Sequence, residues 1–241
     1  MFQKVKGIVL RSIKYQENSL ITYLYTDKHG RQTYIAKGVH NTKSKNRANL
    51  FQPLFLLDID ASYRERANMQ SIRECKLSET FNSIHLDVYK SAIALFIGEL
   101  LYKVIREEEI NNNLFEFLYH SICLLDELDD GILNFHLHFM VQLSRYLGFL
   151  PVNNFEDNTY FDIKTGRYCL LKPSHLQYFD STSTKILSDL QRLPVTDIYL
   201  LKLNRTERYN FLDKMIDFYS FHFDHILPVH SLSILHEVFS L

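Results

Sequence analysis

The chain is poor in glycine. Among 241 residues there are seven, at positions 7, 30, 38, 98, 131, 148 and 166, about half of an average share. No two lie closer than eight positions apart. A P-loop needs glycines five apart followed by Lys-Ser/Thr, and a dinucleotide fingerprint needs three within six residues. Spacing alone excludes both. Cysteine is also scarce: Cys75, Cys123 and Cys169, with no C-x-x-C. Three scattered thiols make no disulfide framework and suit a reducing cytosol. The longest apolar stretch, residues 92–105, is interrupted by Glu99 and Lys103, whereas a bilayer span needs about 20 apolar residues. Residues 1–11 alternate lysine with apolar side chains and hold no signal-peptide core. No membrane segment is expected, and the expected location is cytoplasmic. There is no internal repeat and no low-complexity tract.

What is present is an ordinary globular composition, 46% apolar and 23% charged, with an uneven distribution of charge. The net charge is −1, but residues 1–80 hold 14 Lys+Arg against 7 Asp+Glu, while residues 81–241 hold 13 against 21. A segment at +7 is thus joined to one at −8. This points to a polyanion-binding module on a differently tasked body.

The periodicity divides at the same place. Segments near 4–14, 20–26, 32–39, 51–60 and 69–77 are rich in Val, Ile, Tyr and Phe and are separated by turn chemistry. Five short strands with one long polar loop at 40–49 predict a small closed barrel of the oligonucleotide-binding (OB) type. From residue 81 the period becomes helical. Leu86, Tyr89, Ile93, Phe96, Ile97, Leu100, Leu101 and Val104 form one stripe, and 114–128 and 132–147 continue it, broken at Asp129-Asp130-Gly131. In 152–179 the helical period is lost. Tyr160-Phe161-Asp162-Ile163 and Arg167-Tyr168-Cys169-Leu170 predict a small hairpin across Lys164-Thr165-Gly166. Helices return near 181–193, after Asn204 with Glu207 three positions on, and from Ser231. The expected class is α+β: a barrel domain over 1–80, then a helical domain over 81–241 with a β insert at 152–179.

The chemistry-bearing residues favour binding over catalysis. Residues 28–47 hold Lys28, Arg31, Lys37, Lys43, Lys45 and Arg47, with no acid after Asp27 until Asp58. Tyr34, His40 and Phe51 lie among or beside them. Phosphates call for Lys/Arg along the backbone path, and single strands add aromatic faces for the bases. His136 and His138 are two apart and face different ways on a helix. His222 and His225 could share a face, but a zinc site needs three or four ligands. The carboxylates Glu107-Glu108-Glu109, Asp126-Glu127 and Asp129-Asp130 fall at helix ends and turns and read as solvated acids. No serine or cysteine resembles an activated nucleophile.

Several short motifs fall in a specific order: Gly7-Ile8-Val9-Leu10-Arg11, Glu17-Asn18-Ser19-Leu20, Thr26, Gly30-Arg31, Ala36-Lys37-Gly38, Lys43-Ser44 and Gln52-Pro53. Further on come Phe139, Leu143, Leu147-Gly148-Phe149, Pro151 and Ser231. In this series the chain resembles the bacterial RecO family of DNA repair proteins over nearly its whole length. The resemblance implies an OB barrel followed by a helical domain with an inserted zinc ribbon, and no enzymatic activity. It implies binding of single- and double-stranded DNA and annealing of complementary strands. It also implies partnership with RecR, contact with the tail of the single-strand-binding protein, and through these the loading of RecA. Arg11 then joins Lys28, Arg31, Lys37, Lys43, Lys45 and Arg47 as an expected DNA contact.

Two departures from the family pattern carry expectations of their own. Where many relatives have a cysteine quartet, residues 152–157 read Val-Asn-Asn-Phe-Glu-Asp and Cys169 stands alone. One thiolate makes no structural zinc site, so the ribbon is degenerate, no metal or other cofactor is expected, and Phe155, Tyr160, Phe161 and Leu170 are left to hold the insert. Where some relatives have an arginine for the acidic tail, this chain has His138. Arg145, Lys202, Arg205 and Arg208 are the other candidates for that contact. The rival classes are a metal-dependent nuclease and a structural adaptor without DNA affinity.

Overall fold

The computed structural model describes residues 2–40, 47–64, 67–106, 109–157, 159–224 and 226–240. They form two compact units, Met1–Glu127 and Leu128–Leu241. The first holds five strands: β1 (Phe2–Tyr15), β2 (Ser19–Thr26), β3 (Gly30–Lys37), β4 (Leu56–Ser62) and β5 (Gln70–Leu77). They close a barrel in the order β1-β2-β3-β5-β4, antiparallel except for the β3–β5 pair. This is the predicted OB arrangement. Alternation sends Val5, Val9, Leu24, Tyr34, Ala36, Leu57, Ile59 and Ile72 inward. Gly7 allows the closing strands to approach, because a Cβ there would sit 2.9 Å from the Ile59 side chain.

Helices α1 (Val88–Val104) and α2 (Asn112–Glu127) belong to this same unit, so the compact unit extends past residue 80, where the strand pattern ends. Ile8 and Leu10 point out of the barrel and are still buried. Gly98 of α1 lies so close to the barrel wall that a Cβ would meet Pro53 Cβ at 3.0 Å and the Leu10 carbonyl at 3.3 Å. Asp87 caps α1 by accepting from the Lys90 N–H at 2.9 Å. The helix therefore starts after Leu86, and Leu86 is exposed rather than part of the stripe. The buried Lys90 ammonium donates to the Ser83 hydroxyl at 2.7 Å and to the Asp126 carbonyl at 2.8 Å, tying the end of α2 to the start of α1.

The second unit contains α3 (Ile132–Tyr146), a small sheet of β6 (Tyr160–Asp162), β7 (Arg167–Cys169) and β8 (Tyr178–Phe179), then α4 (Ser181–Arg192), α5 (Arg205–His222) and α6 (Ser231–Val238). The hairpin of the insert is as predicted, and β8 adds a third strand. Phe161 and Phe179 fill its buried side, whereas Leu170 is exposed and does not hold the insert as expected. At α5 the capping box is complete: the Asn204 side chain accepts from the Glu207 N–H at 3.0 Å, and the Glu207 carboxylate accepts from the Asn204 N–H at 2.8 Å. Among the described residues no helix is long and apolar enough to cross a membrane.

Candidate nucleic-acid interface

The register of the β2–β3 hairpin decides what the basic run can do. Ser19 pairs with Lys37 and Thr26 with Gly30. Lys28 sits in the turn at one end of this hairpin and Lys37 at the other, separated by about 20 Å of strand. Residues that look contiguous in sequence are therefore split between two ends of the barrel. Lys43 and Lys45 lie outside the described residues.

At the Lys28 end the charges are balanced. The Lys28 ammonium donates to the Lys4 carbonyl at 2.7 Å. A groove of about 570 Å³ is lined here by Lys4, Lys6, Lys28 and Lys76 together with Asp27, Asp58, Asp60 and Glu74. Lys76 pairs with Asp58 and Arg73 with Asp60, each at 3.5 Å. Four lysines and four acids line this groove, so its formal charge sums to zero.

Arg31, near the same end, is committed to the fold. Its half-buried guanidinium donates to the carbonyls of Tyr102 at 2.8 Å and Ile105 at 2.6 Å, at the C-terminus of α1. It also lies 4.5 Å from the Tyr102 ring centroid and 5.5 Å from that of Tyr23. The position suits a cation, because the last carbonyls of a helix carry partial negative charge.

The Lys37 end differs. The N–H groups of Gly38 and Val39 donate to the Asn18 carbonyl at 2.6 and 3.1 Å, and Ala48 N–H donates to the Val39 carbonyl at 3.1 Å. The two stems of the polar loop are thus pinned together and onto the β1–β2 turn. Lys14, Lys37, His40 and Arg47 are exposed around this mouth, and the described ion pairs include none of them. Glu17 is the acid of the turn. A bulge between Val9 and Arg11 shifts the register of β1. Arg11, Ile13 and Tyr15 consequently point outward beside Ile21 and Ile35, giving a half-exposed apolar face edged with cations. Arg11 lies 5.1 Å from the Tyr102 ring centroid. Lys14, Ile13, Tyr15, Ile21 and Ile35 were not among the expected contacts. The alternation around Arg11 hints at them, but the bulge that turns Ile13 and Tyr15 outward leaves no mark in composition.

In the second unit the expected tail contacts separate. His138 is buried, its Nε2 is 3.0 Å from the Leu193 carbonyl, and burial lowers its pKa. It presents no cation at the surface. Arg208 is half-buried and donates to the Leu203 carbonyl at 2.5 Å. Arg205 donates to the Ser240 hydroxyl and covers the Tyr209 ring at 5.1 Å. Arg145 and Lys202 are exposed. Among the described residues no three His, Cys, Asp or Glu side chains are grouped to hold a metal ion. His222 stacks on Phe149 at 4.3 Å. His225 lies outside the described residues, as do Glu107 and Glu108.

Comparison with known families bears directly on this barrel and the helices after it. The sequence model described as recombination protein O N terminal matches residues 1–81, and that described as recombination protein O C terminal matches residues 85–232. The chain belongs to the recombination protein O family. Similar proteins include those of Bacteroides fragilis (strain ATCC 25285), at 37% identity over 99% of this chain and 100% of the relative, and of Phocaeicola vulgatus, at 35% over the full length of both. Another is from Flavobacterium johnsoniae, at 36% over 98% of this chain and 99% of the relative. Each is named DNA repair protein RecO.

Proposed function

We propose that this chain is a non-enzymatic, cytoplasmic DNA repair protein that binds single- and double-stranded DNA at the Lys37 end of its barrel. It anneals complementary strands and, with RecR, helps load RecA onto DNA coated by single-strand-binding protein. The observation that carries the DNA reading is the mouth itself: Lys14, Lys37 and Arg47 against the single turn acid Glu17, next to an outward apolar face along which Arg11 lies further from the mouth, with no acid in sequence between Asp27 and Asp58. The names of the relatives and the family resemblance support the repair role and its partners.

The charge map supports the direction of approach. Residues 81–127 hold 3 Lys+Arg against 8 Asp+Glu, and residues 128–241 hold 10 against 13. Most of the acidic surplus therefore sits on α1, α2 and their connection, inside the barrel's own unit. That connection is anchored at the Lys28 end by Arg31 to Ile105 and by the Tyr25 hydroxyl, which donates to the Asn111 carbonyl at 3.3 Å. Glu109 is exposed there. With Glu109 exposed at one end and the cations of the mouth at the other, a phosphate backbone is drawn toward the mouth. In the second unit, the exposed Arg145 and Lys202 remain for the acidic tail of single-strand-binding protein.

The test is annealing of complementary labelled strands, naked and coated with single-strand-binding protein, with divalent metal present. Annealing of both without cleavage is the expected result. Cleavage would favour a nuclease, and absence of any DNA affinity a structural adaptor.

A further inference from the structure

The β insert has no part in the DNA reading, yet its surface is built for contact. Its sheet runs β7-β6-β8, so β7 is an edge strand whose outer backbone groups meet no strand among the described residues. A groove of about 580 Å³ adjoins that edge, with Arg167, Cys169 and Leu170 on the β7 side and Val152, Asn154 and Glu156 on the other. Two of the most exposed aliphatic side chains of the second unit line it, Leu170 at 68% and Val152 at 75% exposed, and Leu171, at 83%, follows Leu170 in the chain. Apolar exposure of this density marks an interaction surface. An open edge beside a groove is the geometry of strand addition, in which backbone hydrogen bonds supply affinity and alternate side chains enter the groove.

Charge selects the occupant. Lys164, Arg167 and Lys172 are exposed on the hairpin and just after it, the described ion pairs include none of them, and Glu156 is the single acid in the groove lining. Asp162 is already engaged, lying 3.3 Å from His175 and accepting from the Lys164 N–H at 2.9 Å. A second copy of this chain would bring the same three cations against themselves. A nucleic-acid strand would want exposed aromatic faces, whereas the exposed groups are aliphatic. We propose that the β7 edge of the insert binds an extended segment of another protein, with aliphatic residues for the groove alternating with acidic residues for Lys164 and Arg167.

The probe is a fluorescein-labelled synthetic decapeptide alternating aspartate with valine or leucine, titrated against the full-length protein by anisotropy. Saturable binding is expected, with backbone amides of Arg167, Tyr168 and Cys169 gaining protection from hydrogen exchange. The Lys164→Glu/Arg167→Glu double variant should bind about tenfold more weakly or worse, and should keep its circular dichroism spectrum and its DNA affinity. A peptide with lysine in place of aspartate should not bind. The proposal is overturned by any of four results: no saturable binding, equal binding by the double variant, displacement of the peptide by a single-stranded oligonucleotide from the same residues, or a concentration-dependent dimer abolished by Leu170→Asp.

Discussion

Arg31 and Tyr102 join the barrel to its first helix: one guanidinium nitrogen donates to the Tyr102 carbonyl at 2.8 Å while the same group lies 4.5 Å from the Tyr102 ring centroid. The Ile105 carbonyl is its second acceptor, at 2.6 Å. Removing the guanidinium leaves two half-buried carbonyls without their donor, at a cost of about 1–3 kcal/mol. Arg31→Ala should lower the urea midpoint accordingly. Arg31→Lys should recover only part, since an ammonium cannot reproduce the planar fork. A variant as stable as the native chain would show the contact to be idle.

The same contact bears on where the protein can be cut. A fragment of residues 1–127 should fold and keep affinity for naked DNA. A fragment of residues 1–80 should unfold or aggregate, because it uncovers Ile8, Leu10 and Tyr25, each at most 1% exposed in the full chain. Circular dichroism melting of the two fragments checks this. A cooperative melt from 1–80 equal to that from 1–127 would contradict it.

Much of this fold was legible in the sequence because two periodicities do not overlap. Period-2 runs of Val, Ile, Tyr and Phe mark the five strands, and the Asn204–Glu207 spacing marks the start of α5 to the residue. What was hidden depends on three-dimensional neighbours. Arg31 reads as one more cation in a basic run until the C-terminus of α1 is placed beside it. The run itself divides because a hairpin carries Lys28 and Lys37 to opposite ends. Leu86 looks like part of a helical stripe, but Asp87 caps the helix after it. Leu170 looks like core, but it follows an edge strand with no layer over it. β8, only two residues long, has no periodicity to show.

Stability should fall on mild acidification. His136 in α3 is wholly buried, with its ring edge-on to Phe239 at 5.3 Å. Burial first, then the nearby Arg208 and His236, pushes its pKa down to about 3. In the unfolded chain a histidine titrates near about 6.5. The unfolded state therefore takes up a proton that the folded state refuses. This contribution is complete above about pH 6.5 and is lost as pH falls toward 3, by at most about 1.4 kcal/mol per pH unit. His136→Phe should flatten the pH dependence of the urea midpoint between pH 6 and 4, and an unchanged slope would contradict the assignment.

Metal should be irrelevant to folding. Tag-free protein is expected to carry no stoichiometric zinc, and a chelator should leave its melting temperature unchanged, since no metal-binding free energy is linked to folding. Near-stoichiometric zinc by elemental analysis would refute this and direct attention to Cys169 and the histidines around His222.

The most direct test of the account is the salt dependence of single-strand binding at the two ends of the barrel. If about four phosphates are neutralised, log affinity should fall against log salt with a slope of about −3. Lys37→Ala/Arg47→Ala removes two cations from the mouth and should flatten that slope by about 1.4. Lys43→Glu/Lys45→Glu/Arg47→Glu should flatten it further and weaken binding at low salt. Lys28→Ala, at the charge-balanced end, should leave both slope and affinity unchanged. A slope that responds to Lys28→Ala and not to Lys37→Ala/Arg47→Ala would place the DNA on the wrong end of the barrel and contradict the account.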